Sequence, residues 1–403
     1  MKRALLAFSI LAFSTSISLC AEENLYKQMS NAPAIQYGFC RPNLSWLGAK
    51  NNWQPILDGI KESGAKAVQL NFRENSKPTY EQIAHCNKIE LPVNLEIMPL
   101  ETFVKDGSQK RDGGGKLWNA YGISQIDLQK FSAIFSEWVK ELKKRNLRIE
   151  SFEVFNEINW ADFNGDLAIV QGGAAVTEKN YKKYPFALKY IEGMVTYSKV
   201  LDIIRKTIET EYTPQKTELP KPLVILGSFV FHGDSNWFAK INSSVIDSDF
   251  HFKVLAGKIP EANEAKNVFK NVDGYAVHIY PEAKYLDVKP STADKTAEKA
   301  IRRYIDPIFK EAPKDKLVCI TEFSYSSWHF RNEKNPQQAR ADQTKAFLRS
   351  LSKNSLKDIN WGFIFHYCYD DDNNWGAIAK DGEVRRPILD VCKEEYPRMY
   401  RTK

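Results

Sequence analysis

The chain has 403 residues, 43 % hydrophobic and 12 % aromatic with 9 tryptophans, which supplies a sizeable core and excludes a disordered or fibrous protein. Its formal charge of +7 falls to +5 without Lys2 and Arg3. The charges form no long block, and clusters such as Lys143-Lys144-Arg145 read as solvated helix surface, which argues against nucleic-acid binding.

Residues 1–20 read as a signal peptide. Met1-Lys2-Arg3 is the positive start, Ala4 to Leu19 the apolar stretch, and Ser18 and Cys20 the small residues before cleavage at Ala21. A lipid anchor on Cys20 is the rival reading, and Leu19 before it fits a lipid-attachment motif poorly. A secreted or periplasmic protein is therefore expected. No later apolar run is long enough to span a bilayer. Export permits disulfides, and the five cysteines that remain, an odd number, leave at least one unpaired. Their spacings match no zinc motif, and the sequence implies neither metal nor cofactor.

After an extension over 21–33, residues 34–403 alternate short apolar runs with amphipathic stretches and read as one domain. Ile35–Cys40 precedes a helical pattern over Trp53–Ser63, and Ala67–Phe72 precedes Thr79–Cys86. Leu91–Met98 is followed by a loop containing Asp112-Gly113-Gly114-Gly115-Lys116-Leu117-Trp118. Next comes the clearest helix, Ser124–Arg145, whose Phe131, Ile134, Phe135, Trp138, Val139 and Leu142 form one stripe. Ile149–Phe155 leads to a helix over Tyr184–Ile208, Leu223–Val230 to Ser235–Leu255, and Gly274–Ile279 to Thr292–Phe309. Leu317–Glu322 leads to Gln337–Leu351, and Trp361–Tyr367 to Pro387–Tyr396. The runs are rich in Val, Ile and Phe, as strands buried on both faces are. Strand followed by helix, eight times, predicts an α/β fold, a single-domain (β/α)8 TIM barrel. The alternative is a doubly wound open sheet, but Tyr37-Gly38-Phe39-Cys40 is not the Gly-rich phosphate turn that fold usually carries.

In such a barrel the functional residues lie at the C-terminal ends of the strands. The fourth run ends in Phe155-Asn156-Glu157 and the seventh in Ile320-Thr321-Glu322-Phe323. These strands face each other across the mouth. Retaining cleavage of a glycoside needs two carboxyl groups about 5 Å apart, one to give a proton and one to attack. The sixth run holds His278 and Tyr280, two apart and so on one side of the strand. The second ends in Gln69-Leu70-Asn71-Phe72-Arg73, with either Asn71 or Arg73 facing inward. Glu96 is the polar residue of the third, a further carboxylate or an ion-pair member. Loop aromatics and histidines collect at the same end: Trp160, His232, Trp237, Trp328 and His329. Asp370-Asp371-Asp372 reads as a solvated run, with cation binding as the alternative.

The placement of Phe155-Asn156-Glu157 and Ile320-Thr321-Glu322 resembles the strand-four and strand-seven motifs of glycoside hydrolase clan A. The Phe-Glu-Val-Phe-Asn-Glu run leans toward family 39, and His-x-Tyr fits family 39 and family 5 alike. The resemblance implies Glu157 as acid/base, Glu322 as nucleophile, and Asn156 as a hydrogen-bond partner of the sugar 2-hydroxyl. It further implies His278 near the acid/base, Tyr280 on the nucleophile, and Arg73 as the cation that keeps Glu322 ionised. The sequence departs from the clan at the eighth strand, where Trp361 stands at the wrong end for a Trp beneath the scissile sugar. That leaves Tyr367, His366 and Trp375 as candidates.

The expected protein is a monomeric, exported glycosidase acting on an oligo- or polysaccharide. A non-catalytic glycan-binding barrel would not need both glutamates. A metal-dependent barrel hydrolase would normally bring more histidines than the six present, with a His-x-His after the first strand.

Overall fold

The computed structural model describes residues 36–41, 44, 53–72, 77–98, 101–231, 235–281, 290–351, 356–370, 375–378 and 386–399. The leader and extension over 1–33, Arg73, His232, Asp371 and Asp372 lie outside the described residues, as do the side chains of Trp237 and Trp328.

Ten strands and nine helices follow in chain order among the described residues: β1 Gln36–Cys40, α1 Trp53–Glu62, β2 Ala67–Phe72, α2 Lys77–Lys88, β3 Val93–Ile97, α3 Leu128–Lys144, β4 Ser151–Val154, β5 Ala174–Val176, α4 Pro185–Glu211, β6 Leu223–Leu226, α5 Ser235–Lys240, β7 Ser244–Ile246, α6 Ser248–Leu255, β8 Gly274–Ile279, α7 Pro290–Glu311, β9 Leu317–Phe323, α8 Pro336–Ser350, β10 Trp361–Tyr367 and α9 Pro387–Met399. Eight strands close a parallel barrel in the order β1-β10-β9-β8-β6-β4-β3-β2. It is the (β/α)8 barrel that the alternation of apolar runs predicts. No helix among the described residues is long and apolar enough to cross a membrane.

The helices form where the apolar stripe and the caps agree. In α3 the stripe Phe131, Phe135, Trp138, Val139 and Leu142 is buried, and the Asp127 side chain accepts the Gln129 and Lys130 amides that open the helix. One expected helix is broken. Residues 235–255 do not form a single helix: Asn242 adopts a left-handed φ of 57° after α5. The chain then runs through the short strand β7, and the Asp247 side chain caps the start of α6. β-branched Val245 and Ile246 suit that strand, which pairs in parallel with β5 outside the barrel. This two-stranded sheet, which the apolar runs do not predict, ties the loop after β4 to the loop after β6.

The main core lies between barrel and helices. A second apolar cluster is separate from it and contains Cys40, Ala67, Ile225, Ala276, Cys319, Phe363 and Phe365, the filling of the barrel itself. Those residues belong to β1, β6, β8, β9 and β10, with Ala67 at the start of β2. The wall made by β2, β3 and β4 differs. Its buried polar side chains are Gln69, Asn71, Asn94, Glu96, Ser151 and Glu153, joined by hydrogen bonds.

The register of β9 slips once against β8, close to the mouth of the barrel, and twice against β10, first between Trp361 and Ile364. Against β8, Val277 aligns with Ile320 but His278 with Glu322, and against β10 the register also slips between Ile364 and His366. A bulge at Thr321–Glu322 accounts for both. Side chains along a strand normally alternate faces. Here Thr321 donates to Glu153 Oε1 inside the barrel at 3.1 Å, and the next residue, Glu322, also meets inward-facing partners.

Candidate active site

The loop leaving β4 bends sharply. Phe155 and Glu157 take φ values of 71° and 42°, in a region where side-chain-bearing residues cost about 1–3 kcal/mol each unless held. The holding groups come from the turn after β6. Ser228 Oγ accepts the Glu157 amide at 3.0 Å and donates to Asn156 Oδ1 at 2.9 Å. The Ser228 carbonyl accepts the Ile158 amide at 3.1 Å. Gly227 must be glycine, because a Cβ there would stand 2.1 Å from the Val154 carbonyl oxygen. With Asn156 Oδ1 taken by Ser228, its amide nitrogen is the group available to a ligand.

Glu157 and Glu322 come together at the C-terminal mouth of the barrel, both buried. One oxygen of each lies with a ring nitrogen of His278 in a set whose members are all within 4.8 Å of one another. His278 Nδ1 is 2.8 Å from Glu157 Oε1 and 3.3 Å from Glu322 Oε2. The Tyr280 hydroxyl donates to Glu322 Oε2 at 2.5 Å, and Cys40 Sγ to Glu322 Oε1 at 3.8 Å.

Burial dominates the electrostatics. It pushes Glu157 well above the usual carboxylate range, and the nearby Asp162 carboxyl pushes it further. Glu322 is also raised by burial, but less, because the adjacent His278 ring and then hydrogen bonds from Tyr280 and Cys40 favour its charged form. Burial lowers His278, while the Glu322 charge raises it, and its Nδ1 lies within hydrogen-bond distance of both carboxyls. Burial and the Glu322 charge raise Tyr280 well above its usual range, which keeps it a phenol. Both carboxyls are thus held above their ordinary range, Glu157 further than Glu322. The same three residues, Glu157, His278 and Glu322, offer two carboxylate oxygens and one imidazole nitrogen, a donor set that a divalent ion could use.

The remaining sequence candidates divide. The Tyr367 ring stands edge-on to Tyr280 at 6.1 Å between centroids, and Trp375 does the same at 5.3 Å. His366 is turned outward, packing on Phe39 and Phe323, and Trp361 is buried in the main core, so neither lines the mouth. Trp160 is a correction. Its ring is buried, its indole N–H donates to Ser243 Oγ at 2.8 Å, and it packs on Phe163 and Phe238. It braces the loop and presents no face to the mouth. Glu96 lies deeper, accepting from Asn71 Nδ2 at 2.7 Å, and Asp370 is paired with Arg41 at 2.5 Å, where solvation was expected. All five described cysteines, Cys40, Cys86, Cys319, Cys368 and Cys392, are buried free thiols.

Sequence reasoning missed Ser228, Cys40 and Asp162. The Gly-Ser pair ending the fifth apolar run and the Cys ending the first were the available signals. Asp162, five residues after Glu157, carried none.

No family model matches the chain, and no curated protein does. Solved structures do. It is similar to a GH1 β-glucosidase from Exiguobacterium antarcticum B7, with a TM-score of 0.53 at 8 % identity over 91 % of this chain and 98 % of that one. It is similar to the virulence factor SghA in complex with its substrate analogue salicin (0.49, 13 %, 93 % and 98 %). A GH5-4 broad-specificity endoglucanase from Clostridium longisporum also matches (0.46, 12 %, 86 % of each chain). The barrel fold is shared. At such identities the likeness extends to the fold and no further.

Proposed function

We propose that the chain is a retaining glycoside hydrolase of the clan A type, exported and acting as a monomer on an oligo- or polysaccharide. The observation that carries this reading is the buried pair Glu157 and Glu322, with carboxyl oxygens within 4.8 Å. That separation suits direct attack on the anomeric carbon; an inverting enzyme needs about 6.5–9.5 Å to admit a water.

In the first step Glu322 attacks the anomeric carbon while Glu157 gives its proton to the departing oxygen. In the second, Glu157, now an anion, takes a proton from water, which displaces Glu322. Tyr280 and Cys40 hold Glu322 in line, and His278 orients Glu157. The Asn156 amide nitrogen serves the sugar 2-hydroxyl, and Tyr367 borders the ring. Arg73, at the end of β2, and Trp328, after β9, are proposed as further substrate contacts from the clan resemblance.

The test is a panel of aryl glycosides assayed with wild type and Glu322→Ala. Activity in the wild type that vanishes in the variant and returns as a glycosyl azide of inverted configuration when azide is added supports the assignment. Full activity in Glu322→Ala overturns it. Activity lost on chelation and restored by a divalent ion would transfer the Glu157–His278–Glu322 cluster to a metal.

A further inference from the structure

Only two large apolar side chains are exposed among the described residues, Leu188 on α4 and Trp118, which is 62 % exposed. Trp118 belongs to the loop between β3 and α3, and its backbone is fixed on both sides. Residues 111–120 form a hairpin closed by the antiparallel bridge between Arg111 and Ala120. Gly114 and Gly115 turn it with φ values of 60° and 71°. The Trp118 amide donates to Asp162 Oδ1 at 2.7 Å, and the Trp118 carbonyl accepts from Arg111 Nη2 at 3.1 Å. Arg111 also donates to the Ala161 carbonyl, and Lys116 Nζ reaches the Lys240 carbonyl at 3.1 Å. Both chain ends of this tryptophan are therefore pinned to the loop that carries Glu157, while its ring faces solvent.

An indole held open to water on an ordered backbone leaves a large apolar face uncovered beside the loop that carries Glu157. Asp162, which takes the Trp118 amide, is the carboxyl close enough to Glu157 to raise it. In the barrel order, β3 lies beyond β4 on the side away from β9. The acid must stand beside the departing oxygen, so the surface past Glu157, away from Glu322, faces the leaving group. The occupant that matches a flat apolar ring in a hairpin that also carries the polar Asp112 and Lys116 is a pyranose, whose axial C–H face stacks on an indole while its hydroxyls meet polar groups.

We infer that Trp118 is a platform for a sugar unit on the leaving-group side of the cleft, so that the substrate is a chain of sugars continuing past the scissile bond. This rests on the glycosidase reading and adds to it the shape of the substrate.

The experiment compares wild type, Trp118→Ala and Trp118→Phe. The substrates are aryl glycosides with one, two or three sugars before the aryl group, and an unmodified oligosaccharide of the same sugar with at least four units. In Trp118→Ala the kcat/KM for the oligosaccharide is expected to fall about tenfold or more, equivalent to 1.4 kcal/mol or more. The three aryl glycosides, which place only the aryl group on that side, should change less and all to the same extent, and Trp118→Phe should restore most of the loss. Equal rates on the oligosaccharide overturn the inference. So does a loss that grows with the number of sugars before the aryl group, because the ring would then lie on the other side. Glu322→Ala is run alongside: if it keeps aryl-glycosidase activity, the glycosidase mechanism itself fails, whatever Trp118 does.

Discussion

Two halves of the barrel interior are built from opposite materials. Along β6, β8, β9, β10 and β1 the lumen is filled by Ile225, Ala276, Cys319, Phe365, Phe363 and Cys40. Along β2, β3 and β4 it is filled by Gln69, Asn71, Asn94, Glu96, Ser151 and Glu153. The apolar half is buried, and burial raises Glu322 at its end as it raises Glu153 and Glu157 in the other half. The polar half supplies directed hydrogen bonds, so those carboxyls are held in place without a compensating cation at each one. Glu157 rises from the end of the polar half and Glu322 from the apolar half. Where the halves meet, both carboxyls are raised and Glu157 the further, so that Glu157 is the one better placed to keep a proton.

Mutations in the two halves, and at the mouth where they meet, should differ in kind. The largest effect belongs to the mouth, where Glu157→Gln should lower kcat by about 10²–10⁴-fold on substrates with poor leaving groups and much less on activated aryl glycosides. Because Glu157 is raised, wild-type kcat/KM should fall as pH rises through its value, and the variant should lose that alkaline limb in a pH–rate profile.

Next comes the apolar half. Phe365→Ala should cost about 3–5 kcal/mol in denaturant unfolding, the usual penalty for emptying an aromatic site. A cost below ~1 kcal/mol would mean that the lumen is not close-packed.

The polar half should answer to pH. Burial, then Glu96 and Glu322, raise Glu153 well above its ordinary range, so the folded protein keeps a proton that the unfolded chain releases above ~4.3. Its stabilisation is complete below that pH and is lost as pH rises through the folded-state value. Glu153→Gln should therefore flatten the decline of Tm with pH and exceed wild type on the alkaline side. Parallel curves would show that Glu153 does not hold its proton in the fold.

The smallest effect expected is at Cys40. Cys40→Ala removes one weak donor from Glu322 and should lower kcat severalfold with KM nearly unchanged, whereas Cys40→Ser, which keeps a donor, should recover most of it.

Much of this architecture is legible in the sequence because the strands are buried on both faces and read as continuous apolar runs. The positions of Glu157, Glu322, His278 and Tyr280 follow from strand ends. What stays hidden depends on contacts between loops. Trp160 looks like a platform until Ser243, 83 residues away, claims its N–H. The segment 235–255 has enough apolar residues for one helix, and only a left-handed Asn242 and a partner strand at 174–176 divide it. The two materials of the lumen are equally invisible in single strands, since Glu96 and Glu153 stand inside apolar runs whose closure into a barrel gives them their neighbours.

The bulge in β9 has a consequence for how that strand tolerates change. Below it, odd positions 317 and 319 face the lumen and even ones the helices; above it the phase reverses, with 322 inside and Phe323 packed on Phe347. A deep substitution scan across 317–323 should show a two-residue rhythm that skips one beat at Thr321–Glu322. Deleting Thr321 would restore the rhythm with Glu322 still facing the mouth, at the cost of the Thr321 contact to Glu153. The strand is one residue longer than a regular ladder needs, and that extra residue lets a floor contact and a mouth carboxylate sit side by side in the chain.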